Sequence, residues 1–67
     1  MSKTFEIIEI VGISLESSSD AVKNAVMEAN TNRQVAWFNV VEERGRVTQD
    51  GKIEFQVTVK IGRKLSE

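Results

Sequence analysis

The sequence predicts an α+β domain of order β-α-β-β, in which a three-stranded antiparallel-type sheet of strand order 1-3-2 wraps around one helix. Three observations predict it. Ile53, Phe55, Val57, Val59 and Ile61 alternate without exception with Glu54, Gln56, Thr58 and Lys60, the period-two pattern of a strand with one buried face. Ala21, Val22, Ala25, Val26 and Ala29 recur at spacings of three and four, as on one side of a helix. Asp50-Gly51 separates two β-branched-rich runs, which is the signal of a hairpin turn.

The first strand reads from Lys3 to Val11 and stops at Gly12. Phe5, Ile7 and Val11 fall on one face and Ile8 and Ile10 on the other, so both faces of this strand require cover. One face would meet the helix and the other needs a second partner. Gly12 to Ser19 forms a turn. Ser17 followed by Asp20 fits a capping box, with Leu15 placed to pack back onto the helix. The helix runs from Asp20 to about Asn30 and ends in the poor helix formers Asn30, Thr31 and Asn32. Its apolar stripe consists of small residues and so allows close approach to a sheet.

The second strand spans Val35 to Val47. Gly45, between Arg44 and Arg46, marks a bulge or a close backbone approach. The third strand spans Lys52 to Gly62. Its hairpin with the second strand leaves the first strand to pair with the third, parallel to the second, with the helix as crossover. Phe38 and Val40 then join the apolar face of the third strand against the helix. The tail from Arg63 to Glu67 is too short to assign.

One domain fills the 67 residues. A chain this short buries only about 60% of the surface its unfolded form exposes, and most such domains need a staple. With no cysteine there is no disulfide, and with no histidine a zinc site is disfavoured. At 40% apolar residues and four large aromatic rings, self-association is the favoured remedy. Nine basic and ten acidic residues give a net charge of −1. No basic tract marks a nucleic-acid footprint, no apolar run is long enough for a membrane span, and no signal-peptide core is present. The expected location is the cytoplasm. No histidine, cysteine or suggestively spaced carboxylate pair forms a catalytic constellation.

Trp37 and Phe38 are successive large aromatics on one strand, so they face opposite ways. With Phe38 and Val40 in the core, Trp37 lies on the outer face. Pairing Val47 with Lys52 sets Phe38 against Ile61, Val40 against Val59 and Gln56 against Glu43. Gln56 then shares the outer face with Trp37, but about 20 Å away at 3.3 Å per residue. Trp37 can stack on a flat ring, and the amide of Gln56 offers a donor and an acceptor. Together they suit a heteroaromatic edge with adjacent carbonyl and N–H groups, provided that different subunits supply them. Taken singly, a strand tryptophan is more often packing and a strand glutamine more often solvated.

These residues resemble the dodecins, small flavin-binding proteins, over nearly the whole chain. The matching segments are Ile8 to Gly12 with Ser14 just after, the alanine-rich helix, Ala36-Trp37-Phe38-Asn39-Val40, Glu43-Arg44-Gly45, and Phe55 to Gly62. The resemblance implies a hollow homododecamer that holds flavins in pairs near threefold axes, between subunits. It implies that Trp37 stacks on the isoalloxazine and that Gln56 bonds its pyrimidine edge. Arg44 aligns with an arginine near the flavin and favours the phosphate of FMN, although a solvated strand-end arginine explains it equally well. Lys64 aligns with a basic tail position that contacts phosphate or a neighbouring subunit. FMN, riboflavin and FAD all remain as ligands, and coenzyme A remains as a further one. Two residues depart from the family pattern, Arg63 for an aromatic and Ile13 for a small threonine; neither is expected to touch Trp37 or Gln56. The implied role is flavin storage and photoprotection rather than catalysis. The alternative is a shell protein without flavin, in which Trp37 makes a subunit contact.

Overall fold

The computed structural model describes residues 4–65. Lys3, where the first strand was expected to begin, and the tail residues Ser66 and Glu67 lie outside them. Strand β1 (Phe5–Ser14) is followed by helix α1 (Ser18–Asn32), strand β2 (Val35–Val47) and strand β3 (Ile53–Lys64). The three strands form one sheet of order β1-β3-β2, with both β1 and β2 antiparallel to β3. This is the predicted fold.

Strand β1 does not stop at Gly12 but runs on to Ser14. A Cβ on Gly12 would stand 2.0 Å from the Ala21 carbonyl oxygen and 2.9 Å from the Ala25 Cβ. The glycine therefore marks where the helix backbone touches the sheet rather than a turn. The buried core is correspondingly small: Ala21, Ala25 and Ala29 of α1 against Val57, Val59 and Ile61 of β3. Ile8 and Ile10 of β1 pack at its margin.

The capping box at the head of α1 closes through a third residue. Ser17 Oγ accepts from the Asp20 amide at 3.0 Å, as expected. The Asp20 carboxylate, however, accepts from Ser14 Oγ at 2.7 Å rather than reaching back to Ser17. Ser14 Oγ in turn accepts from the Glu16 amide at 2.9 Å. Leu15 stays exposed and does not pack back onto the helix, because the chain there is held by these hydrogen bonds.

The β2–β3 register agrees with the predicted one at its open end. Phe38 pairs with Ile61 and Val40 with Val59. Irregularities between Val35 and Trp37 and between Val40 and Glu42 then shift it. The second has a consequence for parity, since an extra residue turns every later side chain to the other face. Gln56 therefore pairs with Arg44 rather than Glu43, and Val47 with Ile53 rather than Lys52. Gly45 lies within the regular ladder opposite Phe55. A Cβ there would stand 2.8 Å from the Glu54 carbonyl oxygen, so of the two readings of this glycine the close approach holds.

The helix packs mainly on β1 and β3 and leaves Phe38 and Val40 of β2 outside the core, and this corrects the expected core. Phe38 and Val40 face the helix side of the sheet yet remain 50% and 42% exposed. The contact at Gly12 seats α1 toward the β1 edge, so that β2 meets it mainly at its start, where Val35 packs against the core and its amide donates to Asn30 Oδ1 at 2.9 Å. What remains is an open groove lined by Val22, Val26, Met27 and Phe38. On the opposite face of the sheet Phe5, Ile7, Val11 and Ile13 of β1 are also exposed. With axes of 50 × 19 × 15 Å and a radius of gyration of 13.6 Å, the subunit is more extended than a compact chain of this length, for which about 11 Å is usual. Apolar exposure on both faces of one small sheet marks surfaces that meet other molecules.

Candidate functional site

Trp37 pairs with Gly62 in the ladder, and that pairing determines how the indole lies. A Cβ on Gly62 would fall 2.2 Å from Trp37 Cε2 and 2.4 Å from Cζ2. The ring thus rests flat on the bare backbone of β3, covering Gly62, which is buried. It is nonetheless 44% exposed. One face of the indole is supported by the sheet and the other is presented to the surroundings, the geometry of a stacking platform. Gly62 went unrecognised in the sequence, where it appeared to end β3. The usable signal was a glycine inside an otherwise regular strand pattern.

Lys64 lies two residues beyond Gly62 on β3, on the same face and exposed. It stands about 7 Å along the strand from the tryptophan's support. Next to it Arg63 turns to the helix side and is buried. Its Nη2 lies 2.8 Å from Glu6 Oε2, and its Nη1 donates to the Ala29 carbonyl at 3.4 Å. The arginine that replaces the family's aromatic is therefore an internal clasp between β3, β1 and the end of α1.

Gln56 lies six residues from Gly62 on β3, or about 20 Å. The structure does not bring Trp37 and Gln56 together within one subunit. It does bring Arg44 and Gln56 together, directly opposite one another on the outer face, where such partners have Cβ atoms about 5 Å apart. Arg44 Nη1 donates to Glu42 Oε1 at 3.0 Å and to Thr58 Oγ1 at 3.3 Å. Ile13 pairs with Gln56 from the β1 side. Contrary to expectation, this departure from the family pattern does adjoin a site residue. The outer face thus carries the candidate site residues in two groups, Trp37 with Lys64 at one end and Gln56 with Arg44 at the other.

Glu54 adjoins the second group. Its Oε1 accepts from Arg46 Nε at 2.7 Å and from Gln56 Nε2 at 2.9 Å. The Arg46 hydrogen bond, and after it that of Gln56, holds the Glu54 carboxyl below its usual range. A carboxyl with a lower folded than unfolded pKa stabilises the fold above the unfolded titration, and that contribution is lost as pH falls through the folded one. The difference in Tm between the parent and Glu54→Gln is therefore expected to be widest near neutral pH and to close in acid. Circular-dichroism melts from about pH 7 to about pH 3 check this; a gap that widens in acid contradicts it.

Among the described residues no cluster of three or more acidic, histidine or cysteine side chains is arranged to hold a metal ion. No described helix is long and apolar enough to cross a membrane.

The sequence profile of the dodecin family matches residues 4–66. A dodecin from Thermus thermophilus is 37% identical over 68 residues, covering 100% of this chain and 99% of the relative. The solved structure of dodecin from Streptomyces coelicolor is similar with a TM-score of 0.86 at 36% identity, covering 100% of this chain and 99% of that one. The dodecin from Streptomyces davaonensis is similar with a TM-score of 0.85 at 35% identity, with 96% of each chain covered.

Proposed function

The chain belongs to the dodecin family, and from that premise we propose that it binds a flavin between subunits of a cytoplasmic homododecamer, storing the flavin and limiting its photochemistry. The subunit is the single 67-residue domain. The observation that carries this reading is the Trp37 indole, laid flat over Gly62 with its second face open. A ring stacked there is shielded from substrates, and an indole in contact with an excited flavin can quench it by electron donation. Gln56 of a neighbouring subunit meets the pyrimidine edge, since one chain keeps the two residues about 20 Å apart. Arg44, beside Gln56, and Lys64, beside the platform, supply positive charge for a phosphate and favour FMN. The apolar surfaces on both sides of the sheet are those that assembly would cover. The role in this reading is binding and not catalysis.

Titration of the assembled protein with riboflavin, FMN and FAD tests the reading. FMN emission is expected to be quenched to a stoichiometry near one flavin per subunit, with FMN bound at least as tightly as riboflavin. Unchanged FMN emission at micromolar protein rejects the flavin reading in favour of a shell without flavin. A coenzyme A titration alongside decides whether that ligand shares the site.

A further inference from the structure

We propose that Glu54 is a positioning residue for flavin recognition: with Arg46 it fixes which end of the Gln56 amide is left for the ligand, and so makes the site selective for a ring edge with an N–H donor beside a carbonyl. This rests on the flavin reading above.

Four outer-face residues form a square. Arg46 pairs with Glu54 and Arg44 with Gln56 across the β2–β3 ladder, while Glu54 and Gln56 are same-face neighbours on β3. Within that square one oxygen, Glu54 Oε1, receives both the Arg46 Nε hydrogen and a Gln56 Nε2 hydrogen. An ionised carboxylate only accepts hydrogen bonds. The amide must therefore turn its nitrogen toward Glu54. Its carbonyl oxygen and second N–H are what remain for a ligand. A glutamine without such a neighbour presents either end at little cost, and so does not distinguish an edge that donates from one that does not.

The rest of the square keeps this polarity in place. The Glu54 side chain is partly buried, with 16% exposed, and the Arg46 ion pair at 2.7 Å holds the oxygen that Gln56 meets. Arg44, opposite Gln56 in the ladder, is a donor that could reverse the pattern by binding the Gln56 oxygen; its Nη1 points instead to Glu42 and Thr58. The bulge at Val41 matters here, since without it Glu43 would oppose Gln56 and its carboxylate would repel the amide oxygen. The flavin pyrimidine edge, an N–H flanked by carbonyls, complements an amide offering an acceptor and a donor.

The test compares riboflavin with N3-methylriboflavin, which lacks the N–H, on assembled parent, Glu54→Gln and Arg46→Gln proteins. Fluorescence quenching at neutral pH reads the affinities and sedimentation confirms assembly. The parent is expected to prefer riboflavin. In Glu54→Gln riboflavin binding weakens roughly fivefold while N3-methylriboflavin binding changes little, so the preference shrinks by the same factor. Arg46→Gln shifts it in the same direction by less, and decides the matter if Glu54→Gln fails to assemble. Equal weakening of both ligands, with the preference intact, overturns the positioning role. Absence of riboflavin binding to the parent overturns the flavin reading itself, and this inference with it.

Discussion

Trp37→Ala is expected to weaken FMN binding by about 2–3 kcal/mol, roughly 30- to 150-fold in Kd, while the subunits still assemble. The estimate follows from what the indole contributes. Stacking of a heteroaromatic ring on an aromatic side chain is lost on alanine substitution at about 1–3 kcal/mol per ring, and here one indole face is open for such a contact. The fold should survive, because Trp37 stands on the outer face, apart from the core of Ala21, Ala25, Ala29, Val57, Val59 and Ile61. Gly62→Ala supplies the same result by a different route. The added methyl would fall within 2.2–2.6 Å of three indole atoms, so the ring must lift off β3 although the tryptophan is retained. Gly62 does not have a positive φ, and alanine suits its backbone. Affinity in this variant is expected to fall by tenfold or more. Fluorescence titration with FMN measures both variants, and sedimentation reports assembly. If Trp37→Ala disassembles, the tryptophan is a subunit contact and the shell reading gains.

Gly12→Ala is expected to have the largest effect on stability of any single-methyl addition to this chain. The atoms it would meet are the Ala21 carbonyl oxygen at 2.0 Å, the Ala21 carbonyl carbon at 2.9 Å and the Ala25 Cβ at 2.9 Å. Two of them are helix backbone and cannot rotate aside. The whole of α1 must move off the sheet, opening the alanine layer that fills the core. Overpacking of this kind costs about 1–3 kcal/mol and sometimes more. A single core of this size rarely supplies more than about 3–5 kcal/mol. The expected outcome is a Tm lowered by about 10 °C or more, with assembly weakened in parallel because folding and association are linked. Thermal melts by circular dichroism check it. A melting temperature within about 2 °C of the parent would mean that the helix is not seated at Gly12 as described.

The two variants test different halves of the same design. Gly12 draws the helix onto β1 and β3, which leaves Phe38 and Val40 of β2 exposed on the helix side. Gly62 draws the indole onto β3, which leaves one aromatic face bare on the outer side. Each glycine removes a side chain so that a neighbour can lie flat, and each leaves exposed surface for another subunit or a ligand to cover.

The element types and their order were legible in the sequence because each depends on local rules. Alternation along β3, the three-and-four stripe of α1, the Ser17 cap and the Asp50-Gly51 turn act within a few residues. Strand parity likewise placed Trp37 and Gln56 on one face and kept them apart. The bulge at Val41 was not legible. Val40 and Val41 are both apolar, so the sequence pattern does not register the extra residue, and only the ladder with β3 reveals the turn of face. That turn brings Arg44 beside Gln56 in place of Glu43. Nor could the helix's seat be read from its stripe, since alanines pack equally well on any strand; the contact at Gly12 decided it. The same holds for the indole over Gly62 and for the polarity that Glu54 imposes on Gln56. By itself, then, the sequence determined the elements, their order and the face on which Trp37 and Gln56 lie, all properties of chain periodicity. The tertiary structure decided which side chains stand next to one another, because neighbours across a sheet depend on register and backbone approach between segments far apart in the chain.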